Sequence, residues 1–480
     1  MTIITTLLAI ASLPLADLAS AERVLGAYIF QRHGDRTPKS LPPAKLTDLG
    51  YNQEYMTGNF FHNRYISASS QNHINGISSS VVNLAQITAS APQDTVIQIS
   101  GQAFLQGLYP PVGSAANETL RNGSTIYSPL SGYQLIPLSD VKSGTGSEDN
   151  IWLQSTSDCS NAEVSSNDYY YSSSYKELLS STSSLYESVA SNLNGTVSSS
   201  GLSFKNAFTI WDLLNVASIH NASANIPSDE VMHELLVLAN TQQFNLAYNS
   251  SEPIRSVAGM TLAAEVLSAL NQTITSGGKS KLNIQFGAYA TFLAYFGLAG
   301  LTSNVDFTGM PMYASSMTWE LITNAPGTGI PAVSDINVRF LFHNGTSIEG
   351  TTELQTYPLF GQSATEIPWT QFVDSTKKFA ITSQSQWCQA CGNSTGICSS
   401  SSSSSSTAST SSSDSSNGMS LAVAGVIGAM VTLGVLAGLT ALLLLVFNLR
   451  LVRKTTLASL GRGSQASITP FELVMKHENH

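Results

Sequence analysis

The sequence predicts an α/β protein with a helical region in its middle, and three observations carry that expectation. First, the apolar run at residues 24–30 reads as a short buried strand that feeds directly into the charged heptad Arg32-His33-Gly34-Asp35-Arg36-Thr37-Pro38. Second, residues 281–286 give another strand signal, leading through a turn into a helix near 291–299. Third, the stretch between them, about 120–250, is rich in Ser, Asn and Tyr and holds helical segments such as 178–193 and 208–218. Residues 336–342 then alternate apolar and polar and meet Asn344-Gly345, a hairpin-turn signal.

The heptad combines a histidine nucleophile with an anion cradle. Two guanidiniums flank one imidazole, and the glycine between them lets backbone approach a ligand closely. Arginine offers a fixed fork of donors suited to phosphate oxygens, and a neutral imidazole can attack phosphorus. Its place at the carboxyl end of a strand is where open α/β sheets bind ligands.

These residues resemble the histidine acid phosphatases, the branch that includes phytases and lysosomal-type acid phosphatases. Residues 32–38 match that family's R-H-G-x-R-x-P heptad in full. Leu46-Thr47-Asp48-Leu49-Gly50 is similar to its L-T-x-x-G helix start, and residues 100–110, from Ser100-Gly101-Gln102-Ala103-Phe104 to Gly107-Leu108-Tyr109-Pro110, to its S-A-x-x-F-x-x-G-L-x-P segment. Weaker echoes run from Ile254-Arg255-Ser256-Val257-Ala258-Gly259 to about residue 390. The resemblance implies a phosphoglycerate-mutase-like fold, a central mixed sheet flanked by helices, with 120–250 as a mostly helical cap roofing the site. It further implies transient phosphorylation of His33, Arg32 and Arg36 holding the phosphoryl oxygens, a small phosphorylated or anionic ligand, and no cofactor or metal.

Two positions depart from the family's pattern. A third phosphate-binding arginine is expected four residues before Ser100, where this chain has Val96. A lost charge-assisted hydrogen bond costs about 1.5–3 kcal/mol, and Ser90 and Thr95 offer only neutral hydroxyls nearby. The proton-donor His-Asp pair is replaced by Ala288-Tyr289, between the 281–286 strand and the following helix. General acid catalysis is worth about 10²–10⁴ in rate, most for poor leaving groups. Asp35 or a carboxylic acid distant in sequence is a candidate replacement. His233 is expected to decorate a helix, and His220 and His343, each preceding a glycosylation sequon, to lie at the surface.

The remaining segments predict location. Residues 1–21 carry an apolar run and end Ala19-Ser20-Ala21, a signal-peptide pattern. Residues 421–447 contain no charge and would span roughly 40 Å as a helix, long for a hydrocarbon core of about 30 Å. Arg450, Arg453 and Lys454 follow, placing the tail 448–480 in the cytosol. The expected topology is single-pass type I, a membrane-anchored member of fungal type, with residues 22–398 extracellular or lumenal at plasma membrane, cell surface or vacuole. A glycolipid-anchor signal is the competitor, but it would end at the hydrophobic run. Gly434 and Gly438 form a G-x-x-x-G, a weak pointer to helix pairing and so to a homodimer. The Ser-rich segment 399–420 reads as an O-glycosylated stalk. Sequons at Asn117, Asn122, Asn194, Asn221, Asn249, Asn271, Asn344 and Asn393 all precede it.

Cys159, Cys388, Cys391 and Cys398 are expected to form disulfides, with three connectivities open. A net charge of −10 and pI near 5.2 argue against nucleic-acid binding. Two functional expectations follow: a membrane-anchored ectoenzyme hydrolysing phosphomonoesters through phospho-His33, weakened or with a substitute acid, and a non-catalytic surface protein of the same fold that binds phosphate-bearing or other anionic ligands. A structural surface protein with a vestigial site is a third.

Overall fold

The computed structural model describes residues 22–141 and 158–399; the segments read as leader, most of the stalk, apolar span and tail lie outside the described residues. Among the described residues no helix is long and apolar enough to cross a membrane. The strands are β1 Arg23–Arg32, β2 Ile87–Pro92, β3 Glu118–Thr119, β4 Thr125–Ile126, β5 Ser139–Val141, β6 Leu282–Gly287, β7 Ser316–Thr323, β8 Asn337–His343, β9 Gln355–Tyr357 and β10 Glu366–Pro368. One mixed sheet runs β10-β8-β7-β1-β6-β2-β5, with β9 on β8, while β3 and β4 form a separate ribbon. Strands β5, β2, β6 and β1 are mutually parallel, and β1, β7, β8 and β10 antiparallel. β1 is therefore the seam between the two halves, buried along nearly its whole length.

Alternation along β1 divides the core. Tyr28 and Phe30 face the layer built by helices Val257–Thr275 and Tyr289–Leu298, whereas Ala27 and Ile29 face the layer built by Asp48–Phe61 and Thr95–Leu108. Helices cover both faces, as a sheet with a parallel half requires. A third hydrophobic cluster, including Tyr186, Phe204, Ile210, Leu214 and Leu235, holds the helical region.

The structure differs locally from the sequence reading in three places. Up to residue 141 the middle region is not mainly helical: the chain forms β3, β4, one short helical turn at Pro129–Gly132 and the sheet-edge strand β5, and among the described residues the longer helices start from Ser160. The 178–193 stretch is interrupted, giving helices Ser173–Ser181 and Ser183–Ser188 and a 3-10 turn, Ala190–Leu193. The break falls at Thr182, whose backbone leaves the helical region and whose hydroxyl donates to the Leu178 carbonyl at 2.6 Å. Asn344-Gly345 makes no tight hairpin, because β8 next pairs with β9 across residues 344–354. Instead the Asn344 side chain accepts from the Met312 N–H at 2.7 Å, and the Gly345 N–H donates to Ser315 Oγ at 2.7 Å.

The cysteines close as Cys159–Cys391 and Cys388–Cys398, so the C-x-x-C does not close on itself. None of the eight sequon asparagines is buried.

The L-T-x-x-G segment is legible as geometry. Thr47 caps helix Asp48–Phe61, its Oγ1 accepting from the Gly50 N–H at 3.0 Å. A Cβ on Gly50 would lie 2.1 Å from the Asp35 carbonyl oxygen, and one on Gly34 would lie 2.4 Å from that of Gly50. The helix start and the heptad thus touch backbone to backbone. Gly50→Ala is expected to destabilise the fold by about 1–3 kcal/mol through overpacking, read as a lower denaturant midpoint; an unchanged midpoint would show that the heptad is free to shift.

Candidate active site

Strand β1 delivers the heptad to the carboxyl edge of the parallel half-sheet, beside the end of β6: Arg32 is in register with Gly287, and the His33 N–H donates to the Gly287 carbonyl at 3.1 Å. Ala288 and Tyr289 follow β6 immediately, Ala288 capping the helix that Tyr289 begins. The positions read from sequence as the site's two strand ends therefore adjoin in space. Gly34 is held from the other flank, its N–H donating to Ser100 Oγ at 3.2 Å.

His33 is only 2% exposed. Its Nδ1 lies 2.8 Å from the Gly34 carbonyl, which can only accept, so Nδ1 carries the proton and Nε2 presents the lone pair. Burial, then the Arg32 and Arg36 charges, hold its pKa well below the usual imidazole value. The imidazole consequently stays neutral into the acid range.

The guanidiniums have different partners. Arg36 is buried and held by Asp212, with its Nη1 at 3.0 and 3.1 Å from the two carboxylate oxygens. The Lys39 backbone N–H donates to the same carboxylate at 3.0 Å. Asp212 belongs to helix Ala207–His220, so a carboxylate of the helical region sits against one of the two cations expected to grip a phosphoryl group. Arg32 donates to the Pro311 carbonyl, and its guanidinium lies 4.6 Å from the Tyr313 ring centroid and 5.3 Å from that of Tyr289. Its buried Nε has no hydrogen-bond partner, leaving a donor for an anion.

Tyr313 sits against the whole group, its ring centroid 5.7 Å from that of His33 and 5.8 Å from the Arg36 guanidinium. The Gln31 amide fixes its loop by donating to the Ala314 carbonyl at 3.0 Å, and donates also to Glu54 at 3.1 Å. Burial pushes the Tyr313 phenol up, outweighing the pull of the two arginines, which makes it a poor acid. The Tyr289 hydroxyl lies 2.8 Å from the Gln243 side-chain oxygen.

The departures also have places. Val96 is buried in the first turn of helix Thr95–Leu108, and no cation replaces it there; Thr95 is exposed beside it. Asp35 is fully buried, with Oδ2 at 2.5 Å from Thr47 Oγ1 and 2.6 Å from His220 Nε2, while Oδ1 has no partner. His220 is exposed as read, yet it engages the heptad. His343 is half-buried in β8 rather than at the surface, and burial lowers its pKa. His233 lies on helix Asp229–Ala247 as expected, and additionally lines a cavity of about 570 Å³ whose walls include Arg32, Asp35, Trp211 and Tyr313. Among the described residues no group of three or more His, Cys, Asp or Glu is placed to hold a metal ion.

Sequence reasoning missed Asp212 and Tyr313. The first left a signal, one carboxylate inside the apolar helical run Ile210-Trp211-Asp212-Leu213-Leu214. Tyr313 left none.

The sequence model of the histidine phosphatase superfamily (branch 2) matches residues 40–298, beginning just after the heptad. No curated protein matches the chain. Among solved structures, the apo phytase of Hafnia alvei is 14% identical, with 77% of this chain and 98% of that one covered and a TM-score of 0.51. The phytase of Citrobacter braakii is 14% identical, covering 77% and 99%, with a TM-score of 0.51. That of Klebsiella sp. ASR1 is 12% identical, covering 75% and 96%, at 0.50. At this identity the likeness establishes the fold.

Two measurements test the site's electrostatics. In an NMR titration the His33 ring signals are expected to stay those of a neutral imidazole through pH 6.5, the ordinary histidine value; a midpoint at or above it would refute the burial of the ring beside two cations. Asp212→Ala leaves Arg36 buried without its carboxylate, expected to cost about 3–5 kcal/mol. Inorganic phosphate should then raise its melting temperature more than that of the unaltered chain; equal shifts would show that Asp212 does not compete for the anion position.

Proposed function

This chain belongs to branch 2 of the histidine phosphatase superfamily, and from that membership we propose that it hydrolyses phosphomonoesters through a phosphohistidine on His33. The observation that carries the reading is a neutral imidazole, its Nε2 lone pair free of the ring proton, between two guanidiniums at the carboxyl end of a central strand.

In this reading Nε2 attacks phosphorus in line, the P–O ester bond breaks, and Arg32 and Arg36 stabilise the charge on the equatorial oxygens. Water then attacks the phosphohistidine, releasing inorganic phosphate and restoring His33. Arg36 exchanges Asp212 for the phosphoryl group as substrate enters, and the Tyr313 ring gives way. The departing alkoxide needs a proton that Ala288 and Tyr289 do not supply. Asp212 is committed to Arg36, so Asp35, in the heptad and with an unpartnered Oδ1, takes that role. Good leaving groups are favoured accordingly.

A second reading, binding of phosphate-bearing or other anionic ligands without turnover, is favoured by the Asp212 carboxylate on Arg36 and by the near-complete burial of His33. For either reading we propose a membrane anchor at 421–447 with residues 22–398 outside the cytosol, supported by the charge-free run, the basic residues after it and the paired disulfides.

The discriminating assay is p-nitrophenyl phosphate hydrolysis from pH 3 to 7 beside His33→Ala. Turnover lost in the variant supports the hydrolase; equal, near-background rates support binding alone. If turnover is present, Asp35→Asn is expected to slow alkyl phosphates by about 10²-fold and aryl phosphates much less. Equal losses on both would assign Asp35 to structure only.

A further inference from the structure

The cavity bounded by Arg32 and Asp35 has a chemical bias. The helical region contributes Trp211, Met232 and Leu236 to its wall, and Tyr313 faces it from the loop after β6 and its helix. Among the described residues lining it, Arg32 is the one arginine or lysine, and Asp35 and Asp306 are carboxylates. Arg36 is buried and does not line the cavity, and Asp212 already holds it. One phosphoryl group can be compensated here. A second or third would be desolvated near carboxylates, with no arginine or lysine and only the His233 imidazole on the wall to meet it, an arrangement in which like charges repel strongly. Apolar ligand surface, by contrast, gains about 25 cal/mol per Å² on leaving water, and an indole beside a thioether offers a face for an aromatic ring.

We propose that this cavity takes phosphate monoesters whose alcohol part is apolar and of about naphthyl size, and discriminates against polyphosphorylated polyols. The proposal rests on Arg32 and His33 forming the phosphoryl seat. It separates this chain from the phytases whose fold it shares, since the ligand class is set by the wall and not by the heptad.

The experiment uses the full-length chain and three probes: 1-naphthyl phosphate, inorganic phosphate and myo-inositol hexakisphosphate, with binding read by calorimetry and phosphate release read in parallel. Naphthyl phosphate is expected to bind at least about tenfold more tightly than either other probe. Trp211→Ala should remove about tenfold of that preference, and Met232→Arg, at a partly exposed position on the cavity wall, should shift it toward the hexakisphosphate. Hexakisphosphate binding as tightly as naphthyl phosphate, or a preference unmoved by both variants, would overturn the proposal. Selective binding with release unaffected by His33→Ala would remove the hydrolase reading and keep the ligand class; His33-dependent release with no selectivity would do the reverse.

Discussion

A buried imidazole beside two fixed positive charges is the constraint on which the site depends. Burial first, and then the two charges, keep the ring neutral, and that burial requires that the cations be satisfied from within the protein whenever no anion is bound. Asp212 meets that need for Arg36, and the Pro311 carbonyl with two tyrosine faces meets it for Arg32. Closing the site is thus a consequence of charge compensation. Because Asp212 and His220 lie on one helix and reach Arg36 and Asp35 respectively, the helical region is tied to the heptad by two ionisable contacts.

Much of the sheet was legible because its strands are short apolar runs with chemistry at their ends. β1, β6 and β8 appear within a residue or two of where periodicity places them, and Thr47 and Gly50 begin a helix as the motif implies. What the chain concealed was long-range. β7 lies between β1 and β8, yet nothing local in Ser316–Thr323 marks it as the partner that makes the sheet mixed. The cysteine pairing was equally hidden, since Cys159 and Cys391 stand 232 residues apart.

The site divides in the same way. Residues contiguous in sequence, His33 with its flanking arginines, were readable from side-chain chemistry alone. Groups arriving from other elements were not: Asp212 from a helix and Tyr313 from a loop that Gln31, the residue before the heptad, braces. Val96 is buried at the start of its helix, and Ala288 caps the helix that Tyr289 begins.

The disulfides also determine how the molecule carries load. The chain continues beyond Ser399, and a pull applied there meets Cys398 first, which is bonded to Cys388; Cys391, three residues on, is bonded to Cys159 at the start of the first helix after residue 158. The segment from which the chain leaves Ser399 is therefore tied covalently to the edge of the helical region.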